Sequence, residues 1–431
     1  MNISKIKYLL NNQVLQITSI NSVSVLVRII TGLISTSIIA KILGPLGVAL
    51  LGNLRNFITS VETISMLGFN NGIVKYVARY KDEKQEYVRI LSTVFYTILF
   101  VSILVGIVLY TFSEYWNNYV FGNDRSYINL FKWFALSIPF FSLNIFLTSI
   151  LNGLSQYKRL IYLNIISNIV GFILSILLIV QYKVEGALYG LIIIPALLTI
   201  ITILWVSKEV SLTQNINIRY FDVNVIRKMS SYSVMAFVSA FCSPIIYLKI
   251  RVIAIDSLGI DTAGNWEAMN RISSFYMMFV STLLSVYFFP RLSQSSTSIQ
   301  TKGVFKEYFK TVVPMFILGG LLLYVGRDLF IRYIYSDKFV YLSDLFLWQL
   351  VGDLLKVCSL ILGYEFFAKK LTKLFLISEI VSLFVLYLSS VVLLQKYNVQ
   401  GLVMAHAFTY LVYLVMLIVI FRRIIFQKKS V

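Results

Sequence analysis

Charge is the scarcest commodity in this sequence. Only 13% of its 431 residues are Asp, Glu, Lys or Arg, about half the ~25% of an ordinary soluble domain. That shortage excludes a water-facing surface over most of the chain. Cysteine is reduced to Cys242 and Cys358, both inside apolar runs and without metal-ligand spacing, which reads as core packing and carries no redox information. Histidine is reduced to His406. No His/Cys cluster, no G-x-S-x-G and no phosphate-cradling G-x-x-x-x-G-K-[ST] occurs, which argues against a metalloenzyme, a serine hydrolase and an ATP-driven pump.

What the chain has instead is apolar length, with 58% of its residues hydrophobic. A helix needs roughly 20 mostly apolar residues to cross the ~30 Å hydrocarbon layer. Runs of that length fall at 15–40, 46–67, 90–112, 129–151, 160–181, 185–206, 230–254, 264–289, 311–335, 341–363, 373–395 and 399–421. The expected fold is therefore an all-α integral membrane protein of about twelve transmembrane helices. It divides into an N-terminal bundle at 1–206, a polar linker at 207–228 and a C-terminal bundle at 229–431. The first residues carry Lys5 and Lys7 beside Asn11, Asn12 and Gln13, and read as a cytoplasmic start rather than a signal peptide.

The net charge is +19, yet the cations are scattered between apolar runs and form no patch suited to nucleic acid. They sort by side. With an inside N-terminus, 24 of the 38 Lys and Arg fall in cytoplasmic segments and only 7 in the opposite loops. That asymmetry fits both termini in the cytoplasm.

An internal repeat runs at an offset of 215 residues. Leu43-Gly44 recurs as Leu258-Gly259, and Tyr182, Val184 and Gly186 recur as Tyr397, Val399 and Gly401. Between them Lys158, Ile165, Ser167, Ser175 and Leu178 match Lys373, Ile380, Ser382, Ser390 and Leu393. A shift of six helices preserves orientation, as in transporters with parallel repeats.

The remaining 7 cations lie within or at the edges of spans, where a charge costs about 2.5–3.5 kcal/mol to insert and usually faces a partner or a wet cavity. On the first helix Asn21, Ser24, Arg28, Thr31 and Ser35 form one polar stripe. On the second, Arg55, Thr59 and Glu62 share a face. Ser239, Ser243, Tyr247 and Arg251 line up on the seventh helix, and Glu267, Arg271 and Ser274 on the eighth. Guanidinium groups stay protonated and form bidentate hydrogen bonds to phosphate oxygens. Arg28, Arg55, Arg251 and Arg271 are thus candidate contacts for a phosphorylated ligand, although Arg251 and Arg271 also suit a role as interface anchors. Asp353 and Lys356 stand at i and i+3, close enough for an ion pair, and with Glu62 are the candidates for coupling to an ion gradient. For His406 an interhelical hydrogen bond is expected ahead of proton coupling.

Several segments resemble the polysaccharide flippase branch of the multidrug/oligosaccharidyl-lipid/polysaccharide superfamily, which includes O-antigen translocases and lipid III flippases. They include Gly44-Pro45-Leu46-Gly47 with Asn53-Leu54-Arg55, Val74-Lys75-Tyr76-Val77-Ala78, Glu185-Gly186-Ala187-Leu188-Tyr189-Gly190 and Pro290-Arg291-Leu292-Ser293. The most specific is Trp348-Gln349-Leu350-Val351-Gly352-Asp353-Leu354-Leu355-Lys356-Val357. The resemblance implies two six-helix bundles about a central cavity in the bacterial inner membrane. It also implies movement of an undecaprenyl-diphosphate-linked oligosaccharide from the cytoplasmic to the periplasmic leaflet by alternating access. Arg28, Arg55 and Arg271 sit on helices whose arginines bind the diphosphate in related flippases. No cofactor and no nucleic acid is implied; membrane lipids, a polysaccharide polymerase and a chain-length regulator are the implied company. Two other readings compete: a small-solute or drug exporter of the same superfamily, and a membrane glycan polymerase or ligase. The polymerase or ligase reading is the weaker, because such enzymes work from a large external loop and the external segments here are short.

Overall fold

A computed structural model describes residues 13–122, 124–210, 215–339 and 341–426. The expected cytoplasmic start at 1–12 and the side chains of Asn21 and Ser239 lie outside the described residues. Helices account for nearly all of the chain, and no strand occurs among the described residues. Lipid offers no partner to a free N–H or C=O, so a spanning segment must satisfy its backbone internally, as a helix does.

Among the described residues, seven helices are long and apolar enough to cross a membrane. They are α1 (Gln13–Ser65), α3 (Lys84–Thr111), α5 (Ile128–Gly153), α6 (Tyr157–Val210), α10 (Ser298–Val325), α12 (Leu342–Ala368) and α13 (Thr372–Ile420). Three of them are double. α1 breaks at Gly44 (φ 67°, ψ −169°), α6 at Lys183 (φ 52°, ψ −124°) and α13 at Asn398 (φ 51°, ψ −140°). A Cβ on Gly186 would fall 2.0 Å from the Leu178 carbonyl oxygen, and one on Gly401 2.0 Å from that of Leu393. Eight residues of unbroken helix span ~12 Å, so the chain folds back at Lys183 and at Asn398, and each glycine lets the two limbs touch.

α7 (Val223–Leu258) and α8 (Ile260–Leu283) are also long, at 36 and 24 residues, but are not among the seven. On α8 the charged Asp261, Glu267 and Arg271 interrupt the apolar run, whereas several side chains in the first part of α7 lie outside the described residues. Between the long helices lie the short α2 (Asn70–Tyr80), α4 (Ser113–Phe121), α9 (Phe289–Gln294) and α11 (Arg327–Ile334), with α14 (Arg422–Ile425) at the end. α8 runs into α9 through a π turn at Leu284–Phe288, which ends two residues before Pro290, whose ring and missing N–H disrupt the regular helical ladder.

The 215-residue repeat is present in the backbone. Ser155 (φ 59°) and Lys370 (φ 56°) are both left-handed. Around the first, the Gln156 N–H donates to Leu151 O at 3.0 Å; around the second, the Leu371 N–H donates to Phe366 O at 2.8 Å. The flanking bonds repeat too, with Leu154 to Ile150 at 2.8 Å and Lys369 to Glu365 at 2.9 Å. This is one helix-terminating motif used twice.

One span differs from expectation. In place of 311–335, α10 begins at Ser298 and ends at Val325, and Gly326 separates it from α11. The cause is a capping box: the Thr297 side chain accepts from the Gln300 N–H, and the Gln300 side chain accepts from the Thr297 N–H. It starts the helix well before the apolar run.

The chain divides into two compact units, one of residues 1–38 and 53–245, the other of 39–52 and 246–431. The first is built on a core where Met66, Ile73, Val77, Leu91, Phe146 and Leu151 are buried together. In the second, α12 and the two limbs of α13 pack most extensively, around Phe346, Val357, Phe366 and Val403.

Candidate functional site

In the first unit the polar stripe of α1 is ordered by its own backbone. Thr31 Oγ1 donates to Val27 O at 2.8 Å, Ser24 is buried and Arg28 is exposed. Across the Gly44 break, Arg55 and Glu62 are half-buried and Thr59 exposed on one face, and Thr59 Oγ1 donates to Arg55 O at 2.9 Å. The opposite side of this limb is anchored to α7, since Thr63 Oγ1 donates to Ala240 O at 3.2 Å. The limb therefore turns Arg55, Thr59 and Glu62 away from the buried Leu54, Phe57, Ile58 and Val61.

The second unit uses its charges differently. Arg251 is 1% exposed; its guanidinium forms a buried ion pair with Glu267 and lies over the Trp266 ring, 5.5 Å from the centroid. Tyr247 stacks on the far part of the same cluster, its ring 6.0 Å from that of Trp266. Gly52 makes the pair possible, because a Cβ there would stand 2.6 Å from the Glu267 carboxyl carbon. Arg271, also on α8, is half-buried over the Phe275 ring at 5.4 Å, and its Nε has no hydrogen-bond partner among the described residues. Of the two arginines, Arg251 is held in an ion pair, and Arg271 forms none among the described residues.

A second polar centre is built around Asp353, which is fully buried. Its Oδ2 accepts from Ser273 Oγ at 2.6 Å, from Gln349 Nε2 at 3.1 Å and from the Tyr276 hydroxyl. Its Oδ1 lies 3.0 Å from His406 Nε2. A carboxylate surrounded by four donors is satisfied without water. Gly352 admits the imidazole, since a Cβ there would come 2.4 Å from His406 Cδ2.

The expected Asp353–Lys356 ion pair is not formed. Lys356 Nζ lies over the Tyr410 ring, 5.3 Å from its centroid, and the partner of Asp353 is His406. The bond expected of His406 is thus present, between α12 and the second limb of α13. Sequence reasoning missed Ser273, Tyr276 and Gln349 as members of this centre. Gln349 at i−4 from Asp353 is the one signal that could have found part of it.

Residues 14–296 match the family model of polysaccharide biosynthesis proteins. Along 394 residues the chain is 29% identical to the lipid III flippase of Escherichia coli (strain K12), covering 90% of this chain and 94% of that one. Among solved structures it is similar to a multidrug resistance MATE family transporter of the MOP superfamily in an inward-facing conformation, with TM-score 0.75 and 13% identity over 94% of this chain and all of that one. It is also similar to the lipid II flippase MurJ in an inward closed conformation, with TM-score 0.73 and 17% identity over 94% of this chain and 90% of that one. The all-helical fold is the one these transporters share.

Proposed function

The chain belongs to the polysaccharide biosynthesis protein family, and from that premise we propose that it is a lipid-linked oligosaccharide flippase of the MOP superfamily. Its substrate is an oligosaccharide carried on undecaprenyl diphosphate, an O-antigen repeat unit or a related one. It moves that substrate from the cytoplasmic to the periplasmic leaflet of the bacterial inner membrane by alternating access. The observation that carries this reading is the likeness to a lipid III flippase along nine-tenths of the chain.

The residues suit the task. Arg28, Arg55 and Arg271 supply guanidinium groups that bind the diphosphate, their charge retained within the membrane. Arg251, held in an ion pair by Glu267, orders the interior of the second unit. Asp353, with its His406 partner, Glu62 and Lys356 are the groups that take up or release the coupling ion. A small-solute exporter of the same fold is the other reading, but the MATE likeness, at 13% identity, supports the fold alone.

The test is genetic. Arg28→Ala/Arg55→Ala, expressed in a strain whose surface glycan depends on this chain, should abolish that glycan while leaving the protein folded in the membrane. Normal glycan would remove these arginines from the mechanism. Accumulation of a small solute in place of lipid-linked glycan in a deletion strain would favour the exporter.

A further inference from the structure

Away from the arginines, the second unit carries a cavity of about 470 Å³. It forms where three segments converge: the end of α7 at Leu258 with the first turn of α8 at Thr262, the start of α12 at Tyr341 and Asp344, and the reversal of α13 at Tyr397, Asn398 and Gln400. Tyr341 and Tyr397 are about half exposed, at 49% and 50%. Asp344 and Asn398 are exposed, and Asp344 forms no ion pair among the described residues. An acidic residue in the first turn of a helix is ordinary. Two open tyrosines and two amides around it are not explained that way.

The internal repeat separates side-chain chemistry from turn geometry. Lys183 and Asn398 have nearly the same backbone conformation, so the reversal does not dictate what surrounds it. At the positions matching Tyr341, Asp344, Asn398 and Gln400, the first half carries Ser126, Asn129, Lys183 and Glu185. The second half has gained an aromatic ring and exchanged two charged turn residues for neutral amides.

We propose that this cavity is a carbohydrate subsite on the external face, which takes one or two sugar rings of the glycan after translocation. The proposal rests on the flippase reading and on the outward orientation that the distribution of Lys and Arg gives this end of the chain. The electron-rich face of a tyrosine ring attracts the weakly positive C–H face of a sugar. The Asp344 carboxylate accepts from adjacent hydroxyls, and the Asn398 and Gln400 amides both donate and accept. The volume lies within the ~300–1,000 Å³ of small-ligand pockets. Its lining includes a carboxylate and no cation, so it suits a sugar ring and repels the diphosphate.

The experiment uses the full chain in lipid nanodiscs and in proteoliposomes. The probes are the undecaprenyl-linked oligosaccharide pool of the source cells and the free oligosaccharide released from that pool by mild acid. Saturation-transfer NMR should show ring protons of the free oligosaccharide contacting the wild type. Asp344→Asn, Asn398→Gly and Tyr341→Ala/Tyr397→Ala should each weaken that binding about tenfold or more, the loss of roughly 1.4 kcal/mol. Asn398→Gly retains the left-handed turn, and melting temperatures identify any variant that fails to fold; Asp344→Asn and Asn398→Gly decide if the tyrosine variant does. Unchanged binding in those variants, or no contact with a wild type that flips the intact pool, overturns the subsite. A wild type that binds the free oligosaccharide through these residues but flips nothing keeps the subsite and removes the flippase reading.

Discussion

In the second half of the chain Asp353 is buried among Ser273, Tyr276, Gln349 and His406; the matching positions of the first half hold Ile138, Ile58, Val61, Phe134 and Leu191. Four of those five are buried apolar side chains. The backbones around them repeat down to individual turn hydrogen bonds, so helices of this layout do not require the polar centre. The same holds for the ion pair. The counterpart of Glu267 is Gly52, and Gly52 is the residue whose missing side chain gives the Glu267 carboxylate its room. Two copies of one backbone plan have diverged into an apolar scaffold and a half that holds paired charges in its interior. Paired charges inside a low-dielectric region add little net stability over apolar residues of similar volume, which points to function as the reason for keeping them.

The contrast breaks most visibly at the ion pair. Glu267→Ala leaves the Arg251 guanidinium buried without its carboxylate and should cost about 3–5 kcal/mol, read as a lowered melting temperature of the purified protein; a change below ~1 kcal/mol would mean that water reaches Arg251 and the pair is not structural. Next comes the Asp353 centre. Asp353→Ile alone strands four donors and should cost about 1–3 kcal/mol. Replacing all five residues by their first-half counterparts should recover part of that loss while stopping transport, whereas full transport would show that the centre has no coupling role. The two chain reversals should respond alike, since Gly186→Ala and Gly401→Ala both drive a Cβ into a carbonyl oxygen. Losses of about 1–3 kcal/mol are expected in each, and a difference greater than that range would argue that the turns are not equivalent. The smallest effects come from the residues at the reversals themselves. Lys183 (φ 52°, ψ −124°) and Asn398 (φ 51°, ψ −140°) share a conformation suited to glycine, so Lys183→Gly and Asn398→Gly should each raise the melting temperature by the equivalent of ~1 kcal/mol; no rise in either would show that the turns are unstrained.

The repeat, the long helices and the reversals near Gly186 and Gly401 were legible in the sequence because they depend on local signals: apolar length, glycine and a constant spacing. The start of α10 was not, because a capping box at Thr297 and Gln300 outweighs the apolar pattern that marks the span. Spacing on one helix also suggested the wrong partner for Asp353. Lys356 is near it along α12, but Gly352 opens space for His406 on α13, and a bond between helices far apart in sequence leaves no periodic trace. The Arg251–Glu267 pair escaped for the same reason: both residues stood out as charges on polar faces, and only the packing of α7 against α8 beside Gly52 shows that they meet.

In the function proposed above, arginines within the membrane draw a diphosphate-linked glycan across it. Reconstitution tests it directly: proteoliposomes holding the wild type or Arg28→Ala/Arg55→Ala, loaded with the source cells' undecaprenyl-diphosphate oligosaccharide, are assayed for glycan reaching the opposite leaflet with and without an imposed ion gradient. Translocation by the wild type, lost in the arginine variant while its melting temperature is unchanged, is the predicted result; no translocation by the wild type under any gradient, or equal rates in both proteins, would contradict it.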